Sequence, residues 1–235
     1  FGDTARIPYG TRSKETVIKY FFQSVRFLMS KDIKLIVTAC NTASALAMEE
    51  AQKVFDIPII GVIDPGSKAA AANTKNSTIG VIGTEGTINS GTYQRKIRKI
   101  LPSAEIIGIS CPLFVPIVEE GWENSDVAYI TAQKYLLELK EHNIDSLVLG
   151  CTHYPALRYT INKVFENKVN LVNPAYETAK ATKILLKEEN MLSDKLDGGK
   201  ANFYVSDDPE KFKRIGGNIL RKEIASVQKV NIENL

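Results

Sequence analysis

Cysteine and histidine are the side chains here best suited to acid–base or nucleophilic work near neutral pH, and there are few of them: Cys40, Cys111, Cys151, His142 and His153. Two of the cysteines share a setting. KLIVTACNTAS (34–44) and SLVLGCTHYP (146–155) are apolar, β-branched runs that stop at a cysteine and give way to Thr, Asn or His and then to a helical pattern. Cys40 and Cys151 are therefore expected at the C-terminal ends of strands, where open α/β sheets gather their ligands. The free N–H groups and dipole of the following helix are expected to favour the thiolate and lower each pKa. The spacing suggests one reactive thiol on each side of a substrate.

Such a pair suits one kind of chemistry. The α-proton of an amino acid is very weakly acidic, and taking it from one face and returning it to the other inverts the stereocentre. One cysteine would act as thiolate and the other as thiol, with each group in reach of the carbon-bound proton. A water-poor cleft between two domains would strengthen the electrostatics and hold the substrate between the bases. A free cysteine taken singly is more often a small buried hydrophobe; the matched settings of Cys40 and Cys151 argue for function instead. Cys111, in ISCPLF, is followed by a proline and apolar residues and reads as packing. His153, two residues beyond Cys151, could assist its thiol. His142, in LKEHNID, reads as a surface residue at a helix end.

The elements that would position these groups alternate along the chain. Helical patterns are predicted over 13–29, 42–55, 88–100, 126–142, 154–165 and 176–189, with short apolar runs at 33–39, 58–63, 78–82, 104–109, 146–149 and 169–172. Strands alternating with helices of this length imply parallel sheets covered on both faces. Thr42 or Ser44 is expected to cap the helix after Cys40, and Asp64-Pro65-Gly66 and Gly83-Thr84-Glu85-Gly86 read as loops. Polar connectors are expected at 75–77 and 190–200. The echo between the cysteine segments suggests two similar halves facing across a cleft, with the chain beyond about Pro174 returning to the first half.

Composition narrows the classes. With 44% hydrophobic and 24% charged residues, the 235-residue chain reads as a globular protein rather than a disordered one. A net charge of +3, spread along the chain, gives no nucleic-acid patch, and the basic run 95–99 reads as a solvated helix face. Three cysteines without a CxxC or a zinc-type spacing fit a reducing cytoplasm better than a disulfide framework or a metal site. No apolar run reaches the roughly 18 residues of a membrane span.

FGDTARIPYG, ACNTAS, GVIGTEGTI, CPLFVP and LGCTHYP, in this order, resemble the cofactor-independent aspartate/glutamate racemase family, on its glutamate-specific side. The resemblance runs nearly the full length. It implies two pseudo-symmetric α/β domains, 1–64 plus 174–235 and 65–173, with mostly parallel sheets and a glutamate site in the cleft. It also implies no pyridoxal phosphate, flavin or metal, a cytoplasmic homodimer, and supply of D-glutamate for peptidoglycan.

Residue by residue, Cys40 matches the thiol that deprotonates D-glutamate and Cys151 the one that serves L-glutamate, with His153 beside it. Tyr9, Gly10, Asn41, Thr42, Thr152 and His153 match groups near the substrate; Thr84 and Thr87 would approach a carboxylate, and Glu119 would lie near His153. A dianionic substrate needs such donors around its carboxylates. The family's opening strand and Asp-Ser-Gly loop have no counterpart, so the chain is expected to be an N-terminally truncated form lacking the first strand. An aspartate racemase is the nearest alternative, argued against by His153, where an acidic residue would be expected. The other alternative is a non-catalytic binding copy.

Overall fold

The computed structural model describes residues 1–195 and 198–235. The first helix, α1 (Lys14–Met29), starts where Ser13 accepts from the Thr16 N–H, and it buries Val17, Phe21 and Val25. Then come β1 (Ile36–Thr38), α2 (Asn41–Leu46), α3 (Met48–Val54), β2 (Ile59–Gly61) and α4 (Ile63–Asn73). The second half supplies β3 (Thr78–Gly83), α5 (Glu85–Asn89), α6 (Thr92–Ile100), β4 (Glu105–Ser110), α7 (Phe114–Glu119), α8 (Asp126–Glu141) and β5 (Ser146–Gly150). A 3-10 turn (Tyr154–Leu157), α9 (Arg158–Val164) and β6 (Asn170–Val172) complete it. The chain ends with α10 (Pro174–Glu188), β7 (Tyr204–Val205), α11 (Pro209–Leu220) and β8 (Gln228–Lys229).

All strand pairing is parallel among the described residues. One sheet runs β4-β3-β5-β6, a second pairs β1 with β2, and β7 pairs with β8. Every residue of β5 is buried, as a central strand covered by helices on both faces requires. The fold is thus the expected α/β class, two α/β units with parallel sheets and a core in each. Beyond Pro174, α10 packs on α4 and reaches β2. The Gly2 N–H donates to the Tyr204 carbonyl at 2.8 Å, and Gln23 Nε2 donates to the Glu233 carbonyl at 2.7 Å. No helix among the described residues is long and apolar enough to cross a membrane.

Several local expectations need correction. The helix predicted over 42–55 breaks at fully buried Ala47, and the one over 88–100 breaks at Gly91, whose φ of 62° ends one helix and begins the next. The first turn after His153, Tyr154–Leu157, is a 3-10 turn containing Pro155 rather than α-helix. Asp64-Pro65-Gly66 is not a loop but the first turn of α4, where proline costs no hydrogen bond and an aspartate complements the dipole. Of Gly83-Thr84-Glu85-Gly86, only Thr84 lies between elements, and it caps α5. Helices α4, α7 and α11 and strands β7 and β8 are not among the expected elements: α4 opens with the Pro65-Gly66 pair that reads as a loop, α11 carries Gly216 and Gly217, and α7, β7 and β8 are short. Residues 75–77 form a surface turn tied down by Asp145, which accepts from the Lys75 and Asn76 N–H groups. Of the connector expected at 190–200, residues 196 and 197 lie outside the described residues.

Candidate active site

Strand β1 delivers Cys40 two residues past Thr38, and β5 delivers Cys151 directly after Gly150. Both thiols line one cavity of about 520 Å³ between the two halves. Tyr9, Gly10, Asn41, Thr42, Thr84, Glu119, Thr152 and His153 line it too, so all the expected substrate-site residues gather there. Thr87 stands behind them, buried, with its hydroxyl 3.1 Å from that of Thr84. No Lys or Arg side chain of the described residues lines the cavity.

Cys40 is itself the N-cap of α2, its sulfur accepting from the Ala43 N–H at 3.5 Å; Thr42 and Ser44, expected as caps, lie inside the helix. Placed there, the Thr42 hydroxyl points across the cleft. It lies 2.9 Å from the hydroxyl of Thr84 and 3.3 Å from that of Thr87, which gives three adjoining hydroxyls from two helix starts. Asn41 is fixed from behind by Tyr93, whose buried hydroxyl donates to Asn41 Oδ1 at 2.7 Å and leaves the amide N–H groups to serve the cavity. Tyr93 was not foreseen, since on the buried face of α6 it reads as core.

Gly10 closes the other side. Its carbonyl accepts from the Gly86 N–H at 2.9 Å, and a β-carbon there would lie 2.6 Å from Thr84 Cβ, so only glycine permits the approach. The neighbouring Tyr9 spends its hydroxyl on Asp3, a carboxylate that also accepts from Arg6 at 2.8 Å and from Ser206 Oγ at 2.8 Å.

Around Cys151, His153 Nδ1 lies 3.7 Å from the sulfur, and His153 Nε2 lies 3.4 Å from Glu119 Oε1. Thr152 Oγ1 is 3.4 Å from the same Nδ1. Cys111 is fully buried in the core and away from the cavity lining, as expected for packing. His142 caps the end of α8 at the surface, 3.2 Å from Glu105.

Burial overrides the helix starts in setting the thiols. Desolvation raises Cys40 above the ordinary thiol range, against the opposing N–H groups of Ala43 and Thr42. Desolvation also pushes Cys151 up to about 12, opposed by the His153 N–H and reinforced by charge on Cys40. The expectation of lowered thiol pKa values therefore fails for the free protein, because the hydrogen bonds offered by the neighbouring N–H and hydroxyl groups offset less than the loss of water costs. Burial likewise holds His153 below its usual value, with Glu119 pulling the other way.

Two thiols whose charges disfavour each other, at matched strand ends in one cavity, are the arrangement that a two-base proton transfer requires. Known proteins agree with that class. The Asp/Glu/Hydantoin racemase model matches residues 3–182, and the chain belongs to that family. It is 47% identical over 233 residues to the glutamate racemase of Geobacter metallireducens, covering 99% of this chain and 86% of that relative. It superposes on a glutamate racemase isoform of Bacillus anthracis with a TM-score of 0.94 at 37% identity, covering 98% and 86% of the two chains. The glutamate racemase of Francisella tularensis, solved with D-glutamate, gives 0.92 at 37% identity, covering 100% and 88%. The chain is accordingly an amino-acid racemase by family, an isomerase.

Proposed function

We propose that this chain interconverts L- and D-glutamate by proton transfer between Cys40 and Cys151, one on each face of the α-carbon. The observation that carries this reading is the pair itself: both sulfurs line one cavity, and charge on Cys40 raises the pKa of Cys151. Coupling of that sign favours one thiolate and one thiol over two thiolates, which is the state a two-base exchange starts from. From L-glutamate, the Cys151 thiolate takes the α-proton to leave a carbanion, and the Cys40 thiol then gives its proton to the opposite face. Cys40 is left as thiolate, ready for the reverse reaction. The incoming α-ammonium brings positive charge to a lining with no Lys or Arg side chain among the described residues, and lowers the cost of the thiolate.

Charge from the broken C–H bond spreads into the α-carboxylate. Donors aimed there stabilise the transition state more than the ground state. The hydroxyls of Thr42 and Thr84, the Asn41 amide and the loop at Tyr9 and Gly10 are suited to that task, and Thr152 and His153 to the second carboxylate or to Cys151 itself.

The wider reading goes with this. The halves 1–64 plus 174–235 and 65–173 act as the two domains, D-glutamate goes to peptidoglycan, and a reducing cytoplasm keeps the three free thiols reduced. A homodimer is supported by the exposed apolar stripe Val127, Ile130 and Leu137 on α8, and sedimentation would test it.

Circular dichroism of pure L- or D-glutamate incubated with the protein tests the reaction. Racemisation from both sides is expected, and its loss in Cys40→Ser and in Cys151→Ser, because a serine hydroxyl is a far weaker base. Near-normal turnover by either variant would overturn the two-thiol assignment.

A further inference from the structure

The helix α11 brings one charged group to the rim of the cavity that nothing above uses. Asp208 caps this helix and accepts from the Lys211 N–H at 2.9 Å, which fixes the first turn. The next residue, Phe212, lines the cavity and lies against Gly2, so the turn is seated on the site rather than beside it. Lys211 points the other way, across the rim. Its Nζ stands 3.7 Å from Glu119 Oε2, while Oε1 of the same carboxylate faces His153 Nε2 at 3.4 Å. On the far side of the imidazole, Nδ1 meets the Cys151 sulfur at 3.7 Å. A cation, a carboxylate, an imidazole and a thiol thus stand in line, drawn from α11, α7 and the segment after β5.

The order of these groups fixes what each can do. With Nε2–H donating to Glu119, the His153 Nδ1 lone pair faces Cys151 and can accept its thiol proton; a ring turned over would present a donor instead. Glu119 therefore sets the tautomer, as a carboxylate does for a catalytic histidine elsewhere. Glu119 is itself a quarter exposed, with one oxygen on the histidine and the other free to turn toward water. Lys211 occupies that other oxygen. It is absent from the cavity lining and so does not touch substrate.

We propose that Lys211 is a positioning residue for racemisation: by holding Glu119 from α11, it keeps His153 presented to Cys151 and so assists only the proton transfer on the Cys151 face. The proposal rests on the two-thiol reading above. It makes no such claim for Cys40, which is served by Ala43 and Thr42 in the other half.

The two faces can be separated in the intact enzyme. Enantiomers have equal free energy in an achiral solvent, so kcat/KM must fall equally from L- and D-glutamate in any variant. The α-deuterium isotope effect on kcat/KM need not. From L-glutamate it reports proton removal by Cys151, and from D-glutamate removal by Cys40. Lys211→Gln is expected to lower kcat/KM about two- to fivefold, the size of a half-exposed ion pair, with KM nearly unchanged. It should raise the isotope effect from L-glutamate and reduce that from D-glutamate. Lys211→Arg, which keeps the charge, should restore both. Unchanged kcat/KM in Lys211→Gln, isotope effects that move together, or an arginine variant as impaired as the glutamine one would each overturn the proposal. Return of the substrate's own α-proton to the product in deuterium oxide, by the unaltered protein, would instead sink the two-thiol reading, and this inference with it.

Discussion

Replacing Gly10 with alanine should damage the site out of proportion to the one methyl group added. The new carbon would lie 2.6 Å from Thr84 Cβ, 2.8 Å from its Cγ2 and 3.1 Å from its Oγ1. Carbon atoms in contact prefer about 3.5–4.0 Å, so the overlap is on the order of 1 Å. Turning the Thr84 side chain cannot relieve it, because Cβ stays where the backbone puts it. One of the two backbones has to move. Gly10 has no left-handed φ, so the whole penalty is one of space rather than of conformation. Overpacking of this kind costs about 1–3 kcal/mol, or about 2–12 °C in melting temperature for a chain of this size.

The functional loss should be larger. Moving the loop by about the overlap breaks the 2.9 Å bond from the Gly86 N–H to the Gly10 carbonyl and pulls the Thr84 hydroxyl from its 2.9 Å partner, Thr42. A hydrogen bond to a charged group contributes about 1.5–3 kcal/mol, so loss of one from the substrate carboxylate should lower kcat/KM about ten- to hundredfold. The assay is glutamate racemisation by circular dichroism beside a thermal melt. Thr84→Ser, which keeps the hydroxyl, is the companion variant and should stay active. A Gly10→Ala protein with unaltered melting temperature and kcat/KM would refute the close approach and the carboxylate role together.

Other outcomes follow from single contacts. Tyr93→Phe leaves Asn41 Oδ1 buried without its 2.7 Å donor, so the amide is free to turn; KM for glutamate should rise about tenfold, and an unchanged KM would show that Asn41 is held by other means. Cys151 is raised by burial from an ordinary 9.0 to about 12. The folded state therefore retains a thiol proton that the unfolded chain gives up, so this group's stabilisation is complete below pH 9 and is lost as pH rises toward 12. Urea midpoints should fall across that window, and less steeply in Cys151→Ser; buried tyrosines titrate there too, so the difference between the two slopes is the test.

The site was legible where chemistry follows directly from the local chain. The runs that stop at Cys40 and Cys151 are both parallel strands, β5 buried throughout and β1 buried at Ile36 and Thr38 with Val37 exposed between them, and an apolar, β-branched run marks a strand in either setting. The start of α1 at Ser13 was equally plain, since the cap is a local hydrogen bond. Turn composition misled at Asp64-Pro65-Gly66, because the residues that favour a turn are also those tolerated in a first helical turn. The direction of the thiol pKa shifts was misread for a different reason: a helix start shows in the local sequence, while the enclosure that outweighs it comes from both halves at once. Tyr93 behind Asn41 and Lys211 beyond Glu119 carry no sequence signal. Each meets its partner across more than fifty residues of chain.

The most direct measurement of the central claim is the fate of the α-proton in deuterium oxide. Pure L-glutamate and pure D-glutamate are each converted for a small fraction of the reaction, and both enantiomers are then recovered and their α-positions examined by mass spectrometry. With one thiol removing the proton and a second, exchanged with solvent, delivering its replacement, the product should carry deuterium while recovered substrate stays largely protonated, from either direction. Return of the substrate's own proton to the product would mean a single base serving both faces, and Cys40 and Cys151 could not hold the roles given to them here.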